Sequence, residues 1–136
     1  MTKKYLDKLT FEIIGAAIEV HKELGPGLLE SVYHSCLKKE FEIRKMKLFS
    51  EHYVDVFYKG LNIGTDLRCD FLIENAIVVE LKAVERLAPV HSAQLITYMK
   101  LLRMPKGILI NFNSDNLFRS GQKTMVNDLF RTLPDE

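Results

Sequence analysis

The side chains able to do chemistry crowd between Leu67 and Val84, where Arg68 and Asp70 are followed across a short break by Glu80 and Lys82. β-Branched and aromatic residues flank the polar triplet Glu74-Asn75-Ala76, so the stretch reads as two strands joined by a turn. Asn accepts the left-handed backbone that such turns need. A three-residue loop sets Ile73 against Ile77, Asp70 against Glu80 and Arg68 against Lys82. One face is then Leu67, Cys69, Phe71, Ile73, Ile77, Val79, Leu81 and Ala83, and the other is Arg68, Asp70, Leu72, Val78, Glu80 and Lys82. A two-residue loop would scatter charge over both faces, so the hydrophobic pattern selects the first register. Two carboxylates opposed on one face repel, and burial adds desolvation to the repulsion. Something positive belongs between them. Arg68 and Lys82 can supply it as ordinary ion pairs; a divalent metal can supply it as well, since Mg²⁺ is held by one or two carboxylates plus waters and substrate phosphates.

The flanking segments must position this hairpin. Residues 1–9 read as a polar lead-in, and Thr10 as the cap of a helix to about Leu24. Phe11, Ile14 and Ile18 alternate there with Ile13, Ala17, Val20 and Leu24 in a broad apolar face. Gly25-Pro26-Gly27 stops it, and a second helix follows from about Leu28 to Arg44 with Leu29, Val32, Tyr33, Cys36, Leu37 and Phe41 inward. Glu30 and Tyr33 share a face of that helix; a first-turn Glu also complements the helix dipole, a role that alone accounts for it. From about Leu48 to Tyr58 the period is two, and Lys59-Gly60-Leu61-Asn62 suggests a reversal into a short strand near Ile63. Gly64-Thr65-Asp66 leads into the central hairpin.

Pro89 suits the first turn of a third helix, to about Arg103, with Val90, Leu95, Met99 and Leu102 on one side. His91, Gln94 and Tyr98 lie on another side at spacings of three and four. Ile108-Leu109-Ile110-Asn111-Phe112 fits a strand buried on both faces. Strand, helix, strand implies a right-handed crossover that sets this last strand parallel to the one carrying Glu80. Met125, Val126, Leu129 and Phe130 suggest a final short helix. The sum is a mixed β-sheet flanked by helices, in the α/β or α+β class.

A chain of 136 residues, 47% hydrophobic and 27% charged, makes one domain spanning residues 1–136. A net charge of +1 argues neither for nor against nucleic acid, so any basic patch is local. Cys36 and Cys69 both fall in apolar patterns, which favours two buried thiols over a disulfide or a metal site. No apolar run approaches the ~18 residues of a membrane span, and Met-Thr-Lys-Lys-Tyr-Leu-Asp lacks a signal-peptide core. The expected location is cytoplasmic.

Asp70, Glu80-Leu81-Lys82 and the crossover helix together resemble the PD-(D/E)XK nuclease superfamily. Within it, the chain is similar to the bacterial group named for a G-x-x-E-x-x-Y motif, present as Gly27-Leu28-Leu29-Glu30-Ser31-Val32-Tyr33. Further matches are Tyr58-Lys59-Gly60, Arg68-Cys69-Asp70-Phe71, Val79-Glu80-Leu81-Lys82-Ala83 and His91-Ser92-Ala93-Gln94-Leu95 with Tyr98. The resemblance implies a restriction-endonuclease-like core and a metal-dependent nuclease hydrolysing phosphodiester bonds of DNA or RNA. Asp70 and Glu80 would hold Mg²⁺ or Mn²⁺, with the Leu81 carbonyl and with Glu30 as a further ligand. Lys82 would orient or deprotonate the attacking water or neutralise charge on phosphorus, while Gln94, Tyr98, Tyr33, Arg68 and His91 would position substrate. The superfamily also has members that have lost catalysis, so the alternative is an inactive module binding nucleic acid or a protein. A homodimer in which each subunit supplies half a substrate groove is a further expectation.

Overall fold

The computed structural model describes residues 1–64 and 66–136, so the Thr65 part of the expected lead-in at 64–66 lies outside the described residues. Helix α1 (Lys3–Leu24) begins well before Thr10. The apolar period extends backward through Leu6 and Leu9, and Thr2 caps the helix by accepting from the Tyr5 N–H at 3.0 Å. Thr10 is instead buried within it, its hydroxyl donating to the Leu6 carbonyl at 2.7 Å. The N–H groups of Lys3 and Lys4 donate to the carbonyls of Pro134 and Asp135, so the C-terminal segment satisfies donors that a helix start leaves open. The buried stripe is Leu6, Leu9, Ile13, Ala16, Ala17 and Val20; Phe11 is 79% exposed and Ile18 also faces out, so the expected face is narrower and rotated.

Helix α2 (Glu30–Ile43) buries Tyr33, Leu37 and Phe41, while Leu29 and Val32, expected inward, are exposed. Strand β1 (Leu48–Tyr53) ends where the Val54 N–H turns to the Leu67 carbonyl at 2.8 Å. The expected long strand therefore breaks, and β2 (Phe57–Tyr58) with β3 (Leu61–Asn62) makes a separate two-stranded hairpin around Lys59-Gly60, both at positive φ.

Strands β4 (Arg68–Ile73) and β5 (Ile77–Lys82) form the central hairpin in the expected register, with Ile73↔Ile77, Leu72↔Val78 and Phe71↔Val79. Glu74 and Asn75 supply the left-handed turn, at φ 53 and 49. Helix α3 (Pro89–Leu102) leads to β6 (Lys106–Asn111), which runs parallel to β5 and pairs Glu80↔Leu109 and Lys82↔Asn111. The chain ends with α4 (Leu117–Ser120), β7 (Gln122–Val126) and α5 (Asp128–Arg131). Met125 and Val126 thus belong to an edge strand antiparallel to β6, and only Leu129 and Phe130 are helical. The sequence Gln-Lys-Thr of that strand hides it, since an edge needs no apolar run.

The sheet order is β1-β4-β5-β6-β7. One core lies between α1, α2 and the sheet face of Phe71, Ile73, Ile77, Val79 and Leu81; a second lies between α3 and the face of Leu72, Val78 and Leu109. Cys69 joins the second core, not the Phe71 face assigned from alternation, and Leu67 is exposed. Alternation fails because the strands distort at Asp70. The β1–β4 ladder pairs Ser50↔Phe71 and His52↔Cys69 and passes over Glu51, at φ 50, and Asp70. Both cysteines are free thiols, Cys69 buried and Cys36 half-buried. Among the described residues no helix is long and apolar enough to cross a membrane.

Candidate active site

The central hairpin opens at its acidic pair. Main-chain pairing of β4 with β5 runs from Ile73↔Ile77 to Phe71↔Val79, and beyond it the side chains take over. The Asp70 N–H donates to Glu80 Oε1 and the Leu81 N–H donates to Asp70 Oδ2, both at 2.8 Å. Each carboxylate is thus tied to the other's strand. Charged acceptors make strong bonds to N–H donors, which offsets part of the repulsion that an acid pair suffers in a closed ladder.

Burial still dominates at Glu80, which is 4% exposed. Desolvation first, and then the neighbouring Asp70, push its carboxyl up from 4.5 to about 8; the Asp70 N–H and Lys82 pull the other way without winning. Glu30, at the start of α2, is exposed, yet its carboxyl is also raised, first by partial desolvation and then by Asp70, against lowering by Lys82, His34 and His91. Glu30 is thus near enough to Asp70 and Lys82 to be influenced by both. Lys82 Nζ donates to Gln94 Oε1 at 3.4 Å, and Gln94 Nε2 donates to the Tyr98 hydroxyl at 3.2 Å. Helix α3 therefore reaches the β5 lysine through an amide, with Tyr98 almost fully buried behind it.

Among the described residues, neither Asp70 nor Glu80 makes an ion pair with Lys or Arg. The ion-network alternative is not what the structure builds: Arg68 leaves the acids and lies over the Tyr53 ring, 5.4 Å from its centroid.

Comparison with protein-family models matches residues 7–124 to the PD-(D/E)XK nuclease superfamily. The chain belongs to that superfamily. Its mixed five-stranded sheet between helices is restriction-endonuclease-like. Neither the curated proteins nor the solved structures returned a match.

In this PD-(D/E)XK chain the oxygen donors of Asp70 and Glu80, each bonded to the main chain of the other's strand, suit a hard cation. Two carboxylates suffice for Mg²⁺ when waters and substrate complete the shell. Among the described residues no three His, Cys, Asp or Glu side chains converge at ligating spacing, so Glu30 does not join the pair as a ready-made third ligand.

Two other expected substrate contacts are placed differently. Tyr33 is fully enclosed, stacked on Phe112 at 4.6 Å, and its hydroxyl donates to the Gly25 carbonyl and accepts from the Leu28 N–H. It clamps the loop before Glu30 from within the core. His91 Nδ1 accepts from the Ala88 N–H at 2.9 Å, which commits that ring nitrogen to the start of α3. One site residue escaped the sequence reading. His34, one turn after Glu30, stacks flat on Phe71 at 4.4 Å and reaches the Asp70 carbonyl. The i, i+4 spacing from Glu30 was its only signal.

Proposed function

We propose that this PD-(D/E)XK protein is a Mg²⁺- or Mn²⁺-dependent nuclease of the group named for G-x-x-E-x-x-Y, hydrolysing phosphodiester bonds of DNA or RNA. The observation that carries the reading is the reciprocal bonding of Asp70 and Glu80 across β4 and β5, with Lys82 two residues after Glu80 on β5. Asp70 and Glu80 would hold the cation, and the Leu81 carbonyl lies between Glu80 and Lys82 in the chain. When bound, such a cation supplies Lewis acidity toward a phosphoryl oxygen and toward water.

The chain's own contribution is placement and charge. Lys82 makes a long contact of 3.4 Å to Gln94 Oε1, which leaves its ammonium free to orient water or offset charge growing on phosphorus. Tyr98 fixes the Gln94 amide in turn. The Glu30 carboxyl, raised by partial burial and by Asp70, would be a further oxygen ligand from α2.

Incubation of the purified protein with mixed DNA and RNA and Mn²⁺ tests the reading. Cutting that disappears in Glu80→Ala is expected; no cutting, or cutting that survives the substitution, removes it. The second reading is a non-catalytic module that binds nucleic acid or a protein through the same cleft, and its support is the near-neutral net charge of +1 on a small chain. Titration calorimetry separates the two, because the module binds no Mg²⁺ or Mn²⁺ at millimolar concentration.

A further inference from the structure

Side chains meet the main chain of Asp70 at both of its polar atoms. Its N–H donates to Glu80 Oε1 at 2.8 Å, and its carbonyl lies 3.4 Å from His34 Nε2. The strand ladders pass over this residue: β1 pairs with Phe71 and Cys69 on either side of it, and pairing with β5 stops at Phe71. The Leu81 N–H fixes Asp70 Oδ2 at 2.8 Å, so the carboxylate keeps its aim only while the Asp70 main chain, which both ladders skip, is itself held in place.

His34 is built to supply that restraint. It projects from α2 one turn beyond Glu30, half-buried, with its ring 4.4 Å from that of Phe71 and inclined by 13°. A bond at 3.4 Å holds little alone. The stack fixes the plane of the imidazole, and Phe71 is the residue next to Asp70, so ring and bond grip adjacent residues of β4. A carbonyl only accepts, which requires a proton on Nε2.

We infer that His34 is a positioning residue of this site: its Nε2–H and its stack on Phe71 together hold the Asp70 main chain, and through it the direction of the Asp70 carboxylate. The arrangement ties α2 to the acid pair through a second residue besides Glu30. Its consequence for cleavage rests on the nuclease reading; the restraint on Asp70 does not.

Two substitutions separate bond from stack. His34→Phe keeps a ring on Phe71 and removes the donor; His34→Gln keeps a donor and removes the ring. In His34→Phe, Mn²⁺ affinity by calorimetry and kcat on an oligonucleotide each fall roughly 10-fold, with KM and the urea midpoint unchanged. His34→Gln recovers part of that loss. Wild-type metal affinity and kcat in His34→Phe reduce His34 to packing and overturn the inference.

Metal-free protein gives a reading independent of activity. Long-range ¹H–¹⁵N spectra show the Nε2–H tautomer, and the Asp70 amide exchanges faster with solvent in His34→Phe than in the wild type. If the wild type neither cuts nor binds Mn²⁺, the nuclease reading falls alone, and the inference stands or falls on these spectra. An Nδ1–H tautomer or unchanged Asp70 exchange overturns it.

Discussion

Glu80 is the residue whose environment and proposed role are most at odds. Buried and beside Asp70, its carboxyl is pushed up to about 8 from an ordinary 4.5. The folded chain therefore keeps a proton that the unfolded chain loses as pH rises through 4.5. That stabilisation is complete below 4.5 and is lost as pH rises to about 8, at no more than ~1.4 kcal/mol per pH unit. Urea unfolding of wild type and Glu80→Gln across pH 5–8 should show a slope in the first that is reduced in the second. Lys82 is half-exposed and its side-chain contact to Gln94 is long at 3.4 Å, so its loss should be felt in rate rather than stability. Lys82→Ala is expected to lower kcat about 10²–10³-fold while unfolding free energy shifts within ~0.5 kcal/mol. Arg68→Ala should leave the rate nearly unchanged, because its guanidinium lies over Tyr53 and not beside the acids. Both acids and the lysine were legible as residue types on one strand pair. Their reciprocal bonds to main chain were not, because pairing patterns assume a ladder that continues.

Two elements hold the site from opposite sides of the sheet. Helix α2 arrives through the loop that Tyr33 clamps, and the hydroxyl of Tyr33 satisfies both the Gly25 carbonyl and the Leu28 N–H. Tyr33→Phe leaves those groups without that partner and should cost about 1–3 kcal/mol in urea unfolding. Helix α3 carries Gln94 and Tyr98 and rests on β6 at Gly107. A Cβ there would stand 2.7 Å from Met99 Sδ and 2.8 Å from Leu95 Cδ1. Gly107→Ala should therefore cost about 1–3 kcal/mol by overpacking, and lower kcat through the displaced Gln94. The third helix and the parallel strand were readable from Pro89, the three–four spacing and the apolar run at residues 108–112. Strand β7 was not, since Gln122-Lys123-Thr124 at a sheet edge carries no apolar period. Tyr33 looked like a site residue from its motif spacing, and only the packing of Phe112 against it showed a core ring.

For the molecule as a whole, binding of a cation to the folded state alone must raise stability by mass action. Mn²⁺ at one hundred times its Kd should add about 2.7 kcal/mol to unfolding. EDTA should remove that gain, and Glu80→Ala should never show it; thermal unfolding with and without metal reads all three. The hairpin register, the parallel placement of β6 and the opposition of Asp70 to Glu80 were all determined by the sequence alone. The register and the acid opposition follow from alternation and turn chemistry, and the placement of β6 from the handedness of a strand–helix–strand crossover, all written in residue type and element order. Only the tertiary structure decided that the strands fork at Asp70, that Cys69 joins the α3 side, that Tyr33 turns inward and that His34 meets the Asp70 carbonyl. Those outcomes depend on which distant helix covers which end of the sheet, and partners far apart along the chain leave no periodic trace in it.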